Sequence, residues 1–232
     1  MEKRAFYDLV VHSNAKAKEV RIVERGIADA IGFGLDVKNL PGVLTVNMGA
    51  ETTEITILSY GGVVLNKLLK IGSITYDQAI KNTVRYKHEF LIGHLSAEEL
   101  RKEYGVSSEA ANEDFKVAGR NLITRIPEQK HISKEDVQDA MRDSLQICLH
   151  EILSLLERTP PEVQRMITKN GIYVSGGFAN LRGLKTYMED KLEIPVHIAE
   201  QPEFCAVTGL KNIIESKDLM KMTYSMLDEN YR

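Results

Sequence analysis

Two glycine-containing corners of the sequence could bind a ligand that carries phosphate groups or a flat ring. The first corner, Asn47–Glu54, lies between two predicted strands, where Gly49 and Ala50 leave backbone N–H groups bare enough to meet anionic oxygens. The second corner, Val174–Gly177, joins a predicted strand to a predicted helix, where small residues let a flat ligand approach the helix N-terminus. Either corner alone is more often just a tight turn. Together, in this order, they are the candidate site.

The common catalytic and metal-binding signatures are absent from the sequence. It has no Gly-x-x-x-x-Gly-Lys-Ser/Thr loop and no His-Glu-x-x-His, and Gly32-x-Gly34 lacks the third glycine of a dinucleotide fingerprint. Ser175 is not a nucleophile elbow, because that motif needs glycines on both sides of the serine. The 6 histidines are scattered, which favours structural roles over metal ligation. We therefore expect no metal ligands and none of these catalytic sites.

The composition is that of an ordinary folded protein. The 232 residues include 30 Lys+Arg, 33 Asp+Glu and 43% apolar residues, which is ample material for a core. A net charge of −3 without a basic block argues against a nucleic-acid partner. Cys148 and Cys205 lie far apart in predicted helices, as expected for free, buried thiols in a reducing compartment. No apolar run approaches the roughly 18 residues of a membrane span, and no signal peptide is visible, so we expect an intracellular protein.

The elements around the first corner are predicted from apolar runs and helical spacing. The first 43 residues predict a small α-β-α unit, with a helix near the N-terminus, a strand at Val20–Val23, a helix at Gly26–Leu35 and a turn at Pro41. Three β-rich runs then predict antiparallel strands: Val43–Met48, Thr53–Ser59 and Val63–Ile71. Helices at Tyr76–Leu91 and Ala97–Tyr104 and two short strands within Phe115–Ile132 are predicted to follow.

The second corner lies in a region with α/β character. Ser133 is predicted to cap a long helix that runs to about Arg158. The rest alternates between helices and strands, at Glu162–Lys169 (helix), Gly171–Ser175 (strand), Leu181–Leu192 (helix), Val196–Ile198 (strand) and Glu203–Glu215 (helix). The tail contains Met220, Met222 and Met226, which predict a short helix packed on the body or a frayed end, or, alternatively, a surface for a partner.

From Val43 to Glu215 the sequence resembles the second half of the MreB/Mbl family of bacterial actin homologues, in the actin-like ATPase superfamily. The stretches that carry the resemblance are Leu44–Leu58, Gly93–Gly105, Glu157–Glu162 and Gly171–Leu184. Residues 1–43 resemble the stretch just before this half. The family's first third, with its Asp-x-Gly-Thr phosphate hairpin, has no counterpart here, so we expect a chain that lacks the N-terminal third.

The resemblance implies an α/β fold of the actin-like, ribonuclease H-like type. Residues 44–72 and 133–215 would form the large subdomain of domain II, and residues 73–132 would form a small lid subdomain. Residues 1–43 would be a remnant of domain I, and residues 216–232 a C-terminal tail.

The resemblance also implies ATP and magnesium as cofactors and assigns their binding residues. These are Gly49, Ala50, Glu51 and Thr52 in the first corner, Glu98 and Arg101 on the helix that embraces adenosine, and Gly176, Gly177, Phe178, Ala179 and Asn180 in the second corner.

Four departures from the family pattern make binding and hydrolysis of ATP doubtful. The family's metal-holding Asp is Asn47, which carries no charge, and its third glycine is Glu51, whose carboxylate would repel phosphates. The catalytic acid is replaced by Arg25, which cannot act as a general base. The third glycine of the second corner is Phe178, which either stacks on a base or fills the pocket, and we favour filling. We therefore assign no catalytic residue.

The leading functional hypothesis is an MreB-like cytoskeletal or cell-shape protein that has lost ATP hydrolysis. One alternative is a non-polymerising regulator that caps or binds full-length filaments, and another is an ATPase whose N-terminal third is absent from this chain. A decayed gene product without function is a fourth hypothesis. The expected partners are the chain itself or a full-length MreB-like filament, with a dimer through the edge of Val20–Val23 as an option. We expect a cytoplasmic location, with membrane contact only indirect, through partners at its inner face.

Overall fold

Two sheets and the helices around them organise the chain in the computed structural model, which describes residues 2–14, 17–109 and 115–225. The helices are α1 (Glu2–Val11), α2 (Arg25–Gly32), α3 (Ser73–His88), α4 (His94–Tyr104), α5 (Lys134–Glu157), α6 (Pro161–Asn170), α7 (Leu184–Leu192) and α8 (Cys205–Glu215). The strands are β1 (Val43–Met48), β2 (Thr53–Ser59), β3 (Gly62–Leu69), β4 (Phe90–Ile92), β5 (Val117–Asn121), β6 (Pro127–Lys130), β7 (Ile172–Ser175) and β8 (Val196–Ile198). Short 3-10 turns lie at Gly177–Asn180, Pro202–Phe204 and Leu219–Met222.

The large sheet has the strand order β3-β2-β1-β7-β8 and carries helices on both faces. The first three strands are antiparallel, as predicted, whereas β7 and β8 run parallel to β1. Alternate residues of β1 enter two different cores, since Leu44 packs in a cluster with α5 and α7 and Val43 packs in a cluster with α2. Burial on both faces explains why the strand is an almost continuous apolar run.

The small sheet, β4-β5-β6, and helices α3 and α4 form the region predicted as the lid. Strand β4 was not predicted, because its residues fall at the end of the expected helix Tyr76–Leu91. That prediction is wrong at its C-terminus: α3 ends at His88, and Glu89 has a left-handed φ of 50°, which turns the chain into β4. The two strands predicted within Phe115–Ile132 are confirmed as β5 and β6.

Helix α5 begins at the predicted cap. The Ser133 Oγ accepts a hydrogen bond from the backbone N–H of Asp136 at 3.2 Å, which satisfies one of the free amides of the first turn. The helix ends at Glu157, close to the expected Arg158. Helix α7 begins three residues after its predicted start, because Gly183, directly before it, has a left-handed φ of 81°. Helix α8 begins two residues after its predicted start, because a 3-10 turn occupies Pro202–Phe204.

The predicted strand at Val20–Val23 is wrong. Within the described residues, Ile22 makes only a single antiparallel bridge, with Tyr224, through N···O distances of 2.8 and 2.9 Å. In the part of the chain that the structure describes, this bridge is not extended into a ladder. The 3-10 turn at 219–222 confirms the short packed helix of the tail, since Met220 and Met222 contact the cluster under α2, while Met226 lies outside the described residues.

Helix α2 packs between the large sheet and α8, so the N-terminal segment is part of the body. Three glycines allow this close approach. A Cβ on Gly26 would lie 2.5 Å from the Thr56 Cβ, one on Gly32 would lie 2.9 Å from the Cys205 carbonyl carbon, and one on Gly209 would lie 2.7 Å from the Ala28 carbonyl carbon. Helix α2 therefore has a fixed position above β1 and β2, and that position brings a charged side chain to the candidate site.

One hydrophobic cluster continues from the large sheet into the predicted lid. It includes Leu44 and Val174 of the sheet, Tyr76 of α3 and Phe90 of β4.

The two cysteines, Cys148 and Cys205, are free and buried, as predicted. In the described part of the chain, no helix is both long enough and apolar enough to cross a bilayer.

Candidate functional site

The two glycine corners meet in the structure because β1 and β7 are neighbours. Asn47 is the register partner of Ser175, and its Nδ2 donates a hydrogen bond to the Ser175 Oγ at 3.1 Å. Gly176 has a φ of 84°, and a Cβ there would lie 2.6 Å from the Met48 carbonyl carbon. The corners thus lie against each other at the carboxyl ends of parallel strands, where α/β sheets commonly bind ligands.

The first corner is hydrogen-bonded into a turn that also caps α3. The Gly49 N–H donates to the Thr52 carbonyl at 2.8 Å, so it is already used where a phosphate nest would need it. The carbonyls of Gly49 and Ala50 accept hydrogen bonds from the first N–H groups of α3, on Ser73 (3.1 Å) and Ile74 (3.0 Å). Glu51 is exposed beside this turn. The corner therefore holds the first helix of the predicted lid.

Asp29 is a site residue that the sequence analysis missed. It lies on α2, its exposed fraction is 0%, and both carboxylate oxygens accept hydrogen bonds from the Asn47 Nδ2, at 3.0 and 3.3 Å. One turn earlier, Arg25 pairs with Glu54 of β2 at 3.4 Å. The available signal was an acid on a helix face that is otherwise apolar, since such a side chain needs a buried partner. Asn47 is that partner.

Burial gives Asp29 an unusual pKa. Loss of solvent raises the pKa from 3.8 to about 6, although the hydrogen bonds from Ser175 and Asn47 and the charge of Arg25 oppose the rise. The nearby thiol of Cys205 has its pKa raised to about 12, first by burial and then by the Asp29 charge. Asp29 consequently changes its charge close to neutral pH, at the junction of the two corners.

The Asp29→Asn variant is expected to lose a pH dependence of stability that the unaltered chain shows. Because the folded protein holds this proton more tightly, the free energy of unfolding falls as pH rises from about 4 to about 6 and then levels off. The pKa difference corresponds to at most about 3 kcal/mol. Urea unfolding at several pH values between these limits and at pH 7.5 measures the loss.

The matched control for this variant is Asp190→Asn, the same change at an exposed position on α7. The control should keep the fall in stability between pH 4 and 6. If Asp29→Asn keeps it as well, the carboxyl of Asp29 does not titrate in the folded protein as inferred.

The residues predicted to hold the nucleoside are tied to each other and to α3. Arg101 of α4 is buried, and its Nε donates to the Asp77 Oδ1 at 2.6 Å while its Nη2 donates to Oδ2 at 3.3 Å. Glu98 shares the face of Arg101, as predicted, but its closest partner is Lys102 at 2.7 Å. That hydrogen bond lowers the pKa of Glu98. The guanidinium of Arg101 thus serves an internal ion pair.

The side chain of Phe178, in the second corner, is packed inside the protein and does not face solvent. Its side chain is 2% exposed and stacks on Tyr76, with ring centroids 4.3 Å apart and an interplanar angle of 16°. Ala179 is also buried, and the Asn180 Nδ2 donates to the Glu203 Oε2 at 3.0 Å. Gly177 is exposed, and a Cβ on it would meet no atom within 4 Å. Of the two interpretations of Phe178, the structure shows filling.

The resemblance assigns these residues to a nucleotide and its metal. The turn amide, the buried arginine and the aromatic ring that would contact such a ligand are already paired within the chain. Among the described residues, no three His, Cys, Asp or Glu side chains come together as a metal site. The arrangement can hold α2, the sheet and α3 together, and it can bind or release one proton at Asp29.

Comparison with known proteins gives consistent matches along the chain. A family model described as MreB/Mbl protein matches residues 1–222. The cell shape-determining protein Mbl of Bacillus subtilis is 29% identical over 219 residues, which cover 94% of this chain and 65% of that protein. The cell shape-determining protein MreB of Escherichia coli is 33% identical over 221 residues, covering 94% of this chain and 63% of that protein. The chain thus spans less than two thirds of these relatives.

Solved structures match the fold closely. MreB5 of Spiroplasma citri bound to AMPPNP has a TM-score of 0.86 and 28% identity, over 95% of this chain and 65% of that one. The same protein bound to ADP gives a TM-score of 0.85 and 29% identity, over 92% of this chain and 65% of that one. The MamK double helical filament, at 21% identity and a TM-score of 0.68 over 83% of this chain and 59% of that one, is similar in fold alone.

Proposed function

The chain belongs to the MreB/Mbl family and has its actin-like α/β fold, and from this premise we propose that it is a cytoskeletal, cell-shape protein that does not hydrolyse ATP. The observation that carries the proposal is the state of the candidate site. Arg25 stands where the resemblance expects the catalytic acid, and it pairs with Glu54. Asn47 stands where a metal-holding acid is expected, and it donates its amide to Asp29. Arg25 cannot act as a general base, and the uncharged Asn47 cannot hold a metal ion by charge.

Weak binding of ATP is the second part of the proposal. The relative from Spiroplasma citri binds AMPPNP and ADP, so the family fold can hold a nucleotide. In this chain the Glu51 carboxylate lies beside the corner that would receive the phosphates, and like charges a few ångströms apart repel. The Arg101 guanidinium is held by Asp77. Binding would have to break such internal contacts, so the affinity is low.

Assembly with another actin-like chain is the third part. The names of the curated relatives refer to cell shape, and the solved MamK assembly is a filament. We propose that this chain associates with copies of itself or with a full-length MreB-like filament in the cytoplasm, and that its association does not depend on ATP.

A sedimentation experiment tests the functional proposal. The purified chain, alone and mixed with a full-length MreB-like protein, is centrifuged with and without ATP and magnesium, and the pellets are imaged by electron microscopy. We expect the chain to pellet to the same extent with and without ATP and magnesium. We expect no phosphate release from the chain alone, and none in the mixture beyond that of the full-length protein by itself. Shorter filaments of the full-length partner would favour the capping alternative. Phosphate release that requires this chain, or the absence of any association, would overturn the proposal.

Calorimetric titration with ATP and magnesium is expected to give a Kd weaker than about 100 µM, a binding free energy less favourable than about −5.5 kcal/mol. Removal of the Glu51 charge in Glu51→Gln should tighten binding, because the repulsion of phosphate is lost. The matched control is Glu162→Gln on α6, which should change nothing.

A second variant moves the acid between the two site positions. Asp29→Asn combined with Asn47→Asp keeps one carboxylate and one amide in the buried pair while it restores an acid on β1. If this variant binds ATP more tightly than the unaltered chain, Asn47 is one cause of the weak binding. A Kd in the low micromolar range for the unaltered chain would contradict weak binding.

A further inference from the structure

One side chain of the large sheet region contacts both helices of the predicted lid. Phe178 lies in the 3-10 turn that follows β7. Its ring stacks on Tyr76 of α3 at 4.3 Å, and the guanidinium carbon of Arg101 on α4 lies 5.6 Å from the centre of the same ring. The ring therefore has an aromatic neighbour and a cation, and it is 2% exposed.

The partners of Phe178 are themselves anchored on both sides. The Tyr76 hydroxyl lies 3.6 Å from the Cys148 Sγ of α5, so this ring connects α5 with the second corner. Asp77, the next residue along α3, holds the Arg101 guanidinium at 2.6 Å in a buried ion pair. Tyr76, Asp77, Arg101 and Phe178 thus form a continuous buried cluster, here named the clasp, between the large sheet and the lid.

The clasp supplies from within the chain the contacts that a flat, base-like ligand would make between these elements. A ring between α3 and α4 can stack on Tyr76 and attract the Arg101 cation, and Phe178 does both. A separate ligand must lose translational freedom to make these contacts, whereas a tethered side chain does not. A ligand can shift a lid only through contacts that differ between the open and closed states, and here those contacts already exist without it.

We propose that Phe178 is a built-in substitute for a nucleotide base, and that the clasp holds the lid closed on the large sheet whether or not nucleotide is present. This inference rests on the proposed function, because it explains how the chain could present a constant assembly surface without ATP. The surface available to a filament partner then has one state, and ATP does not regulate it.

Hydrogen exchange of the full chain, read by mass spectrometry with and without AMPPNP and magnesium, tests the clasp. In the unaltered chain we expect slow exchange in α3 and α4 that the nucleotide analogue leaves unchanged. In Phe178→Gly we expect exchange in α3 and α4 to be at least tenfold faster, while β1 and β7 exchange as before. Phe178→Leu, which keeps most of the volume but loses the ring, should give a smaller acceleration in the same helices.

The matched control is Ile167→Ala, a cavity at a fully buried position of α6 that is outside the clasp. It should lower overall stability without selective acceleration of α3 and α4. If Phe178→Gly does not fold, hydrogen exchange in α3 and α4 of Phe178→Leu still tests the clasp. Exchange in α3 and α4 that is unchanged in Phe178→Leu, or that AMPPNP slows in the unaltered chain, overturns the clasp. Either result leaves the proposed assembly intact, since sedimentation tests assembly separately. Slowing by AMPPNP would also count against weak ATP binding, which the calorimetric titration tests by itself.

Discussion

Replacing Gly209 with alanine is expected to lower the free energy of unfolding by about 3 kcal/mol. A Cβ at this position would overlap the Ala28 carbonyl oxygen of α2 and lie 3.0 Å from the Gly32 nitrogen, and both are backbone atoms that cannot rotate away. The two helices would have to separate. Because α2 carries Asp29 to Asn47, the separation should also weaken the hydrogen bonds at the junction of the two corners. Urea unfolding followed by circular dichroism measures the change.

The control for this variant is Gly62→Ala at the start of β3. Its nearest neighbour to a new Cβ is the Ser59 carbonyl oxygen at 3.6 Å, an ordinary van der Waals contact. We expect a change within about 0.5 kcal/mol, as is usual for surface substitutions. Equal losses in the two variants would mean that the contact between α2 and α8 is not the cause.

The elements that the sequence predicted best are those whose burial leaves a direct pattern. Strands β1, β2 and β7 are apolar runs of about the expected length, and they are mostly buried. Strand β3 was predicted from its β-rich composition, although Leu69 is its only buried residue. Strand β4 has only three residues, too few for a pattern, and its start depends on the left-handed turn at Glu89. The run at Val20–Val23 has a strand-like composition, but a ladder needs a partner strand. No local pattern reveals the bridge partner of Ile22, which is Tyr224, 202 residues further along the chain.

At the candidate site, the sequence predicted which backbone segments come together but not what their side chains do. Both corners follow strands, so their meeting depends only on β1 and β7 being neighbours. The partners of Asn47 and Arg101 are Asp29 and Asp77, which lie 18 and 24 residues away on helices. Their pairing depends on how those helices pack. The signal that was present is an acid within an apolar helix face, which in a folded protein requires a buried partner.

The other large effect is expected for Asp77→Ala, which should lower the free energy of unfolding by about 3 to 5 kcal/mol. Arg101 is 6% exposed, and its guanidinium would remain buried without its carboxylate partner. The charge cannot be lost by deprotonation, because an arginine stays protonated. The expected loss is therefore mostly the cost of an uncompensated charge, and it exceeds what the pair itself contributes to stability.

A double variant separates these two quantities. Asp77→Leu combined with Arg101→Met removes both charges and keeps apolar volume, so it should recover most of the loss, as buried ion pairs often exchange for apolar residues at little net cost. Glu98→Ala is the control, since its pair with Lys102 is exposed to solvent and should contribute under about 1 kcal/mol. If the double variant is as unstable as Asp77→Ala, the pair does more than neutralise a buried charge: its geometry positions Arg101 over Phe178. The loss would then be accompanied by faster hydrogen exchange in α3 and α4, because the contact between these helices and the second corner would be broken in both variants.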